Sequence, residues 1–318
     1  MPNNEEISVT VPGRICVFGD KVDLLGKPVI AAAINALMTV KVAKRNDNKI
    51  SFYSNTLDLN IDFNLDDTSY NYDHPLKYWT AIVNRLKDKI TGFSAEVRSD
   101  IPIGAGLSSS AAICVSLIKA LSILYGLNMN KDEIAELAYV CEHDDLGISC
   151  GRMDQYSISY GGVTYIETGD VPKVTELPVE SLPIVVGNSK EERKAVVVLN
   201  RIRECINQND PVVLNAFSKI EKIVAEGRDA LISKDYKKVG KLMSQQQEQE
   251  NILQAATDKL NRLCKKAIEA GAFGAKQMGA GGGGCMEAIC PGKQNEVKKA
   301  IKDAGGEPWV FEIYKHKI

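Results

Sequence analysis

Three segments of this chain combine glycine with polar residues in patterns that could do chemistry. Residues 12–23 join an apolar strand pattern to a charged turn, and residues 102–112 pack glycines and serines ahead of an apolar helical pattern. Residues 274–285 contain four consecutive glycines. Glycine lets a backbone approach an anion closely, and the amides at a helix start attract phosphate. The middle segment therefore predicts a phosphate site.

The candidates for phosphate binding are the glycines, serines and neighbouring residues of this turn: Gly104, Gly106, Leu107, Ser108, Ser109, Ser110 and Ala111. Serine hydroxyls suit phosphate oxygens or Mg²⁺. The turn is not a Walker loop, because no Gly-Lys-Ser/Thr follows at the required spacing. An ordinary loop with a serine N-cap is the alternative interpretation.

The glycine run at residues 281–284 has a high conformational entropy in the unfolded chain, which folding must overcome. A flexible linker would explain such a run. However, apolar Met286, Ala288 and Ile289 follow at once and indicate a buried strand. We therefore expect something to approach the backbone closely at Gly281 and Gly282.

In this order, the three segments resemble the motifs of the GHMP kinase superfamily, which includes galactokinases, homoserine kinases, mevalonate kinases and phosphomevalonate kinases. The family form Pro-x-x-x-Gly-Leu-Gly-Ser-Ser-Ala is matched by residues 102–111, with Ser108 in place of the middle glycine. Residues 276–284 match the third motif, with Met278 where threonine or serine is common. The resemblance covers nearly the whole chain and implies a kinase that uses ATP and Mg²⁺.

The first motif departs from the family. The usual Gly-Glu-His reads Gly19-Asp20-Lys21 in this chain. In the family this segment holds the acceptor substrate, so the change bears on acceptor choice.

A fourth segment, residues 142–155, supplies the catalytic residues that the resemblance implies. Galactokinases carry a similar Cys-Gly-x-Met-Asp-Gln with a glutamate twelve residues before the aspartate, and Glu142 lies twelve before Asp154. By this resemblance Glu142 and Ser110 hold Mg²⁺, and Asp154 accepts the proton of the acceptor hydroxyl. Arg14 would lie near Asp154 and stabilise the transferred charge.

Each of these three residues has a simpler alternative. Asp154 could cap a helix, Glu142 could lie on a solvated helix face, and Arg14 could form a surface ion pair of little energetic value.

Two sets of residues point to different acceptors. Asp23 stands where galactokinases place a carboxylate that binds sugar hydroxyls, and residues 150–155 are also galactokinase-like. Against this, residues 21–34 follow the mevalonate-kinase spacing, and the chain has the compact length of archaeal mevalonate kinases. We give more weight to the residues expected to touch the acceptor. The prediction is a sugar kinase acting on a galactose-like or uronic acid acceptor, at the anomeric hydroxyl.

Two alternatives remain open. One is a mevalonate kinase, and the other, of a different class, is a catalytically silent sugar sensor.

The predicted acceptor pocket draws on the first, third and fourth segments, through Asp20, Lys21, Asp23, Arg152, Gly281 and Gly282. Two of these residues, Lys21 and Arg152, are cations, which suggests an anionic acceptor such as a uronic acid. The alternative is that each side chain turns to solvent or pairs with a nearby aspartate.

Composition agrees with a cytoplasmic enzyme of small molecules. The chain has 318 residues and a formal net charge of −2, so nucleic-acid binding, which needs a basic face, is not expected. No apolar run reaches the roughly 20 residues of a membrane span. Eight scattered cysteines are typical of reduced thiols. A homodimer is compatible with these features.

The elements that must position these residues form two predicted lobes, residues 1–176 and 177–318. Hydrophobic patterning predicts strands and helices along both. The first lobe has strands at 7–11, 15–18, 38–43, 50–53, 92–97 and 161–166, and helices at 74–88, 108–127 and 131–146. The second has strands at 183–187, 285–290 and 309–314, and helices at 211–225, 236–255, 258–269 and 293–303. The resemblance implies an α+β fold, with an N-terminal mixed-sheet domain and a C-terminal ferredoxin-like domain.

Overall fold

The computed structural model describes residues 6–67, 74 and 76–316. These form two compact units that are interleaved along the chain. Unit 1 comprises the described residues of Met1–Gly13, Ala36–Pro102 and Ser108–Tyr160, and unit 2 comprises those of Arg14–Asn35, Ile103–Leu107 and Gly161–Ile318. The domain boundary after residue 176 stays a prediction.

Unit 1 contains a mixed sheet, as predicted. Its strands are β3 (Lys49–Ser54), β4 (Leu59–Asn64) and β5 (Phe93–Ser99), with parts of β1 (Glu6–Phe18) and β2 (Val29–Lys44), which both continue in unit 2. Strand β3 is parallel to β5 and antiparallel to β4, and β5 is antiparallel to β2. The burial of alternate residues in β3 is typical of a strand with one face on the core.

The helices of unit 1 carry most of the predicted catalytic residues. They are α1 (Lys77–Leu86), α2 (Ser109–Leu124), α3 (Lys131–Val140) and α4 (Met153–Tyr160), and a π-helical turn (Cys141–Asp145) follows α3. Helix α2 packs against α1, α3 and α4. Trp79 of α1 packs edge-to-face on Phe52 of the sheet, with ring centroids 4.4 Å apart.

Helix α3 begins with a capping box. Asn130 accepts hydrogen bonds from the amides of Asp132 and Glu133, while the Glu133 carboxylate accepts one from the Asn130 amide at 2.7 Å. A capping box satisfies amides that the first helical turn would leave without partners. The capping box therefore stabilises the start of the helix that leads to Glu142.

Unit 2 contains an antiparallel four-stranded sheet in the order β11, β8, β10, β9. The strands of the unit are β6 (Val163–Glu167), β7 (Lys173–Leu177), β8 (Ile184–Asn188), β9 (Gly274–Gln277), β10 (Cys285–Ile289) and β11 (Glu307–Trp309). In this unit β6 pairs with β7 and with residues 29–32 of β2. The β11-β8-β10-β9 order and the connecting helices agree with the ferredoxin-like expectation.

The helices of unit 2 are α5 (Ala195–Asn207), α6 (Pro211–Ile232), α7 (Tyr236–Ile252), α8 (Asp258–Glu269) and α9 (Gln294–Asp303). A short 3₁₀ turn (Val22–Leu25) follows β1. Helices α8 and α9 pack on the four-stranded sheet, with Leu263 and Ile301 in a common buried core. Among the described residues, no helix has the length and hydropathy needed to cross a bilayer.

Several predicted elements differ from the observed ones. The helix predicted from His74 begins at Lys77, and Pro75 of that prediction lies outside the described residues. The helix predicted to reach residue 146 ends in the π-helical turn. The last strand was predicted at 309–314, but β11 ends at Trp309. Within the predicted range, Ile313 forms an isolated bridge with Ile34.

Strands β4, β7 and β9 and helices α4 and α5 were not predicted. In helix α5, Ala195 is followed by three consecutive valines, of which Val196 and Val197 are 66% and 67% exposed. A run of β-branched residues lacks the period of an amphipathic helix, so patterning favours a strand or loop there.

Candidate active site

The structure brings two sequence-predicted residues of unit 1, Ser108 and Asp154, into direct contact. Ser108 precedes α2, and Asp154 lies in the first turn of α4. The Ser108 hydroxyl donates a hydrogen bond to Asp154 Oδ2. Packing of α2 against α4 thus places the predicted proton acceptor at the start of the helix that was predicted to bind phosphate.

Glu142, the predicted metal ligand, lies in the π-helical turn and is only 2% exposed. The Gln155 side-chain amide donates to Glu142 Oε2 at 2.5 Å. A buried carboxylate requires such a donor, because desolvation of an unpaired charge is costly. Gln155 therefore fixes the orientation of the Glu142 carboxylate.

Ser110, the second predicted metal ligand, makes a side-chain hydrogen bond with Tyr78 of α1. The pKa of Tyr78 is raised to about 12, mainly by burial and then by the nearby Glu142 charge. The Tyr78 hydroxyl therefore stays protonated in the neutral range. Ser110 and Glu142 both lie close to this hydroxyl.

These oxygen donors fit Mg²⁺. Mg²⁺ is usually held by one or two carboxylates together with substrate phosphates, rather than by a cage of protein ligands. Within residues 6–67, 74 and 76–316, no group of three or more His, Cys, Asp or Glu side chains could hold a metal ion. One carboxylate, Glu142, and one hydroxyl, Ser110, agree with a site that phosphate oxygens complete.

The glycine turn before α2 belongs to unit 2 as far as Leu107. Gly104 and Gly106 have φ values of 72° and 88°, which glycine adopts without strain. Arg14 of β1 donates from a guanidinium nitrogen to the Gly106 carbonyl at 2.8 Å, and its amide donates to the Leu107 carbonyl at 3.2 Å. Arg14 thus holds the turn, and its predicted approach to Asp154 stays a prediction.

Arg193 is a residue whose position the sequence did not reveal. Its guanidinium carbon lies 3.4 Å from where a Cβ on Gly106 would be, and its side chain also borders Gly279 and Gly284. Arg193 therefore contacts both glycine-rich segments of unit 2. Arg193 lies in a run of charged residues at 190–194, and such runs are usually solvated surface.

The close approach expected at the glycine run comes from the protein's own backbone. A Cβ on Gly281 would lie 2.2 Å from the Ala255 carbonyl oxygen. The Gly282 amide donates to the same oxygen at 2.8 Å, and the Lys194 amide donates to the Gly282 carbonyl at 2.8 Å. Packing alone requires glycine here, and acceptor binding by Gly281 and Gly282 stays a prediction.

Asp20, predicted to border the acceptor, is fully buried in unit 2. Its carboxylate accepts from Lys276 Nζ at 2.5 Å, from the Gln246 side-chain amide at 2.8 Å and from the Gly279 amide. Burial raises the pKa of Asp20, but Lys276 and Lys21 outweigh it, so the net pKa lies below its ordinary value. Asp20 is therefore a buried anion with several partners.

Lys21 and Arg152, the two cations of the anionic-acceptor hypothesis, each pair with a carboxylate of their own unit. In unit 2, Lys21 Nζ lies 2.5 Å from Glu250 Oε2 and donates to the Gly279 carbonyl at 2.9 Å. In unit 1, Arg152 makes a two-nitrogen pair with Glu136 and stacks over Tyr139, 4.1 Å from its ring centroid. Both cations are therefore already paired with carboxylates, which weakens the hypothesis that they bind an anionic acceptor.

We call five buried residues of unit 2 the ion cluster: Asp20, Lys21, Glu250, Lys276 and Glu287. Lys276 Nζ lies 3.1 Å from Glu287 Oε1 as well as contacting Asp20. Burial raises the pKa of Glu287 to about 7, although Lys276 lowers it. Three carboxylates thus share two lysines.

Asp23 lies in the 3₁₀ turn after β1 and is half-buried. Its carbonyl accepts a hydrogen bond from the Gly26 amide at 3.1 Å. Binding of a sugar hydroxyl by its carboxylate stays a prediction.

Comparison with known proteins agrees with the motifs. The sequence model of the GHMP kinases N terminal domain matches residues 76–162, and that of the GHMP kinases C terminal matches residues 228–307. The mevalonate kinase of Pyrococcus abyssi is 35% identical, over 98% of this chain and 97% of that protein.

Two solved structures have the same fold. The Methanococcus jannaschii mevalonate kinase superposes with a TM-score of 0.81 at 28% identity, covering 99% of this chain and all of that one. The Lactococcus lactis galactokinase complexed with galactose superposes with a TM-score of 0.84 at 22% identity, covering 98% and 94% of the two chains. With sequence models, full-length relatives and fold in agreement, this chain belongs to the GHMP kinases, ATP-dependent phosphotransferases that act on hydroxyl groups.

Proposed function

We propose that this protein is a mevalonate kinase. The observation that carries the proposal is the 35% identity to the Pyrococcus abyssi mevalonate kinase over nearly the full length of both chains. The sugar acceptor expected from Asp23 and residues 150–155 has weaker support, because the 22% identity to the galactokinase indicates a shared fold only. The mevalonate-kinase spacing of residues 21–34 favours the same conclusion.

In the proposed site, ATP phosphates lie against the glycine turn and the first turn of α2, with Gly104, Gly106 and the serines around them. Ser110 and Glu142 would hold Mg²⁺, which supplies positive charge against the phosphate oxygens when bound. Within unit 2, Arg193 contacts Gly106 of the glycine turn, and its guanidinium is suited to a phosphate bound by that turn.

The proposed transfer needs one proton acceptor. The acceptor oxygen forms a bond to the γ-phosphorus while the bond from that phosphorus to the β–γ bridging oxygen breaks, and ADP leaves. The proton of the acceptor hydroxyl passes to Asp154, which later releases it to water. Alignment and charge stabilisation provide most of the rate in such transfers, so Arg14 is assigned to the developing charge.

A panel of acceptors tests this proposal. ADP release with Mg-ATP is measured for mevalonate, galactose, glucose, galacturonate, glucuronate and homoserine, with Asp154→Asn beside the wild type. We expect turnover of mevalonate that is lost in the variant. Turnover of another acceptor alone, or of none, would overturn the proposal.

A sugar kinase is the second candidate, and Asp23 is the observation that favours it. Its carboxylate stands where galactokinases place one for sugar hydroxyls. The Asp23→Ala variant separates the two: it should lose sugar turnover if a sugar is the substrate, and it should retain mevalonate turnover if mevalonate is.

A further inference from the structure

Ser108 has a backbone conformation that serine rarely adopts. Its φ and ψ are 64° and 44°, in the left-handed region, where a side chain is strained and glycine is not. Such strain persists only where the surrounding structure holds it, and it is concentrated at functional sites. A glycine here would give the same turn without strain, so the presence of a serine at this position needs an explanation.

Helix capping does not supply that reason. A serine before a helix usually accepts a hydrogen bond from an amide of the first turn. Ser108 makes no such side-chain bond with the described start of α2. Its hydroxyl instead donates to Asp154 Oδ2.

The Ser108–Asp154 contact is partly buried, with Ser108 as its buried side. Ser108 is 7% exposed, so water competes little for its hydroxyl. A hydrogen bond to an ionised carboxylate is roughly twice as strong as one between neutral groups. Through Oδ2 it holds the Asp154 carboxylate in one orientation.

We propose that Ser108 is a positioning residue that holds Asp154 Oδ2 and thereby fixes the orientation in which this carboxylate takes up the proton of the acceptor hydroxyl. This role rests on the proposed function, in which Asp154 accepts that proton. It differs from the role first expected for Ser108, which was contact with a phosphate. The two roles predict different kinetic effects.

Two substitutions separate the hydroxyl from the backbone. Ser108→Ala removes the hydroxyl and keeps the strain, whereas Ser108→Gly removes both. We expect kcat to fall about tenfold or more in each variant, with the KM values for ATP and acceptor unchanged. The glycine variant should melt about 2 °C higher than the alanine variant, although its activity is no better.

Three results would overturn the positioning role. Recovery of kcat in Ser108→Gly alone would mean that the loop conformation, not the hydroxyl, matters. A raised KM for ATP with unchanged kcat would make Ser108 a phosphate ligand. Wild-type kinetics in both variants would show that the bond has no role.

Two controls, the Asp154→Asn variant and the choice of acceptor, distinguish failure of the positioning role from failure of the proposed function. The variants are assayed with the acceptor that the wild type phosphorylates fastest, so a sugar substrate would refute mevalonate without affecting Ser108. Full activity of Asp154→Asn would overturn the catalytic assignment and the positioning role together. A wild type that phosphorylates none of the acceptors would overturn both proposals.

Discussion

Asp154 is the residue on which the proposed chemistry depends. The side chain introduced by Asp154→Asn has the same shape as aspartate and can still accept the Ser108 hydrogen bond, but it cannot take up a proton. We expect this variant to lower kcat about 10³-fold with little change in KM. Asp144→Asn, at an exposed carboxylate in the neighbouring turn, is the matched control and should retain wild-type kcat. Equal rates in the two variants would contradict the assignment.

Gln155 should control the magnesium requirement, because its side-chain amide donates to Glu142 Oε2. A hydrogen bond to a charged group contributes about 1.5–3 kcal/mol, so Gln155→Leu should raise the Mg²⁺ concentration for half-maximal rate about tenfold or more. Gln208→Leu, at an exposed glutamine of unit 2, serves as the control. An unchanged Mg²⁺ titration in Gln155→Leu would show that Glu142 is oriented by other groups.

The sequence named candidate residues in unit 1 but did not show what those residues touch. Ser108, Ser110, Glu142 and Asp154 were found from motif and spacing. Their contacts with each other and with Tyr78 depend on how α1, α2 and α4 pack, and linear spacing does not determine which side chains meet across helices. Arg193 was missed for the same reason, since only folding of unit 2 brings it beside Gly106.

The glycine run should be intolerant of side chains because its own unit packs against it. In Gly281→Ala, the new Cβ would lie 2.2 Å from the Ala255 carbonyl oxygen at a φ of +84°. We expect a loss of about 3 kcal/mol or more in the free energy of unfolding. Gly292→Ala has a similar φ, +71°, with nothing within 4 Å, and should lose only about 1 kcal/mol. Denaturant unfolding checks both, and equal losses would contradict the packing explanation.

Patterning was most successful for amphipathic elements. The bounds predicted for α8 agree with the structure, because its apolar residues recur at helical spacing and Thr257 caps it. It was least successful for α5, where three valines in succession hide the helical period. Edge strands β4 and β7 were also missed, since half-exposed strands carry a weak apolar signal.

The stability of the whole protein should respond to pH through Glu287. Its pKa is raised from an ordinary 4.5 to about 7 by burial, so the folded state holds this proton more tightly than the unfolded chain. The resulting stability is fully present below pH 4.5 and is lost as pH rises through 7. The Tm of Glu287→Gln minus that of wild type should therefore be larger at about pH 8 than at about pH 5.5. A Tm difference that does not change with pH would contradict this.

At the scale of the molecule, the sequence predicted the family and the α+β fold. It favoured a sugar as the acceptor, whereas the relatives favour mevalonate. Three motifs in order were enough for the fold, because together they span nearly all of the chain. The acceptor depended on a few residues: Asp23 was weighted above the spacing of residues 21–34, whereas full-length similarity favours the spacing. Two supposed pocket residues, Asp20 and Lys21, proved to be buried within the ion cluster, which spacing alone does not indicate.

A direct competition between acceptors tests the central claim. Equal concentrations of mevalonate and galactose are incubated with the enzyme and limiting Mg-ATP, and the phosphorylated product is identified by ³¹P NMR and mass spectrometry. We predict that the transferred phosphate is found on mevalonate, and that Asp154→Asn forms about 10³-fold less product in the same time. Phosphate found on galactose instead would contradict the mevalonate assignment.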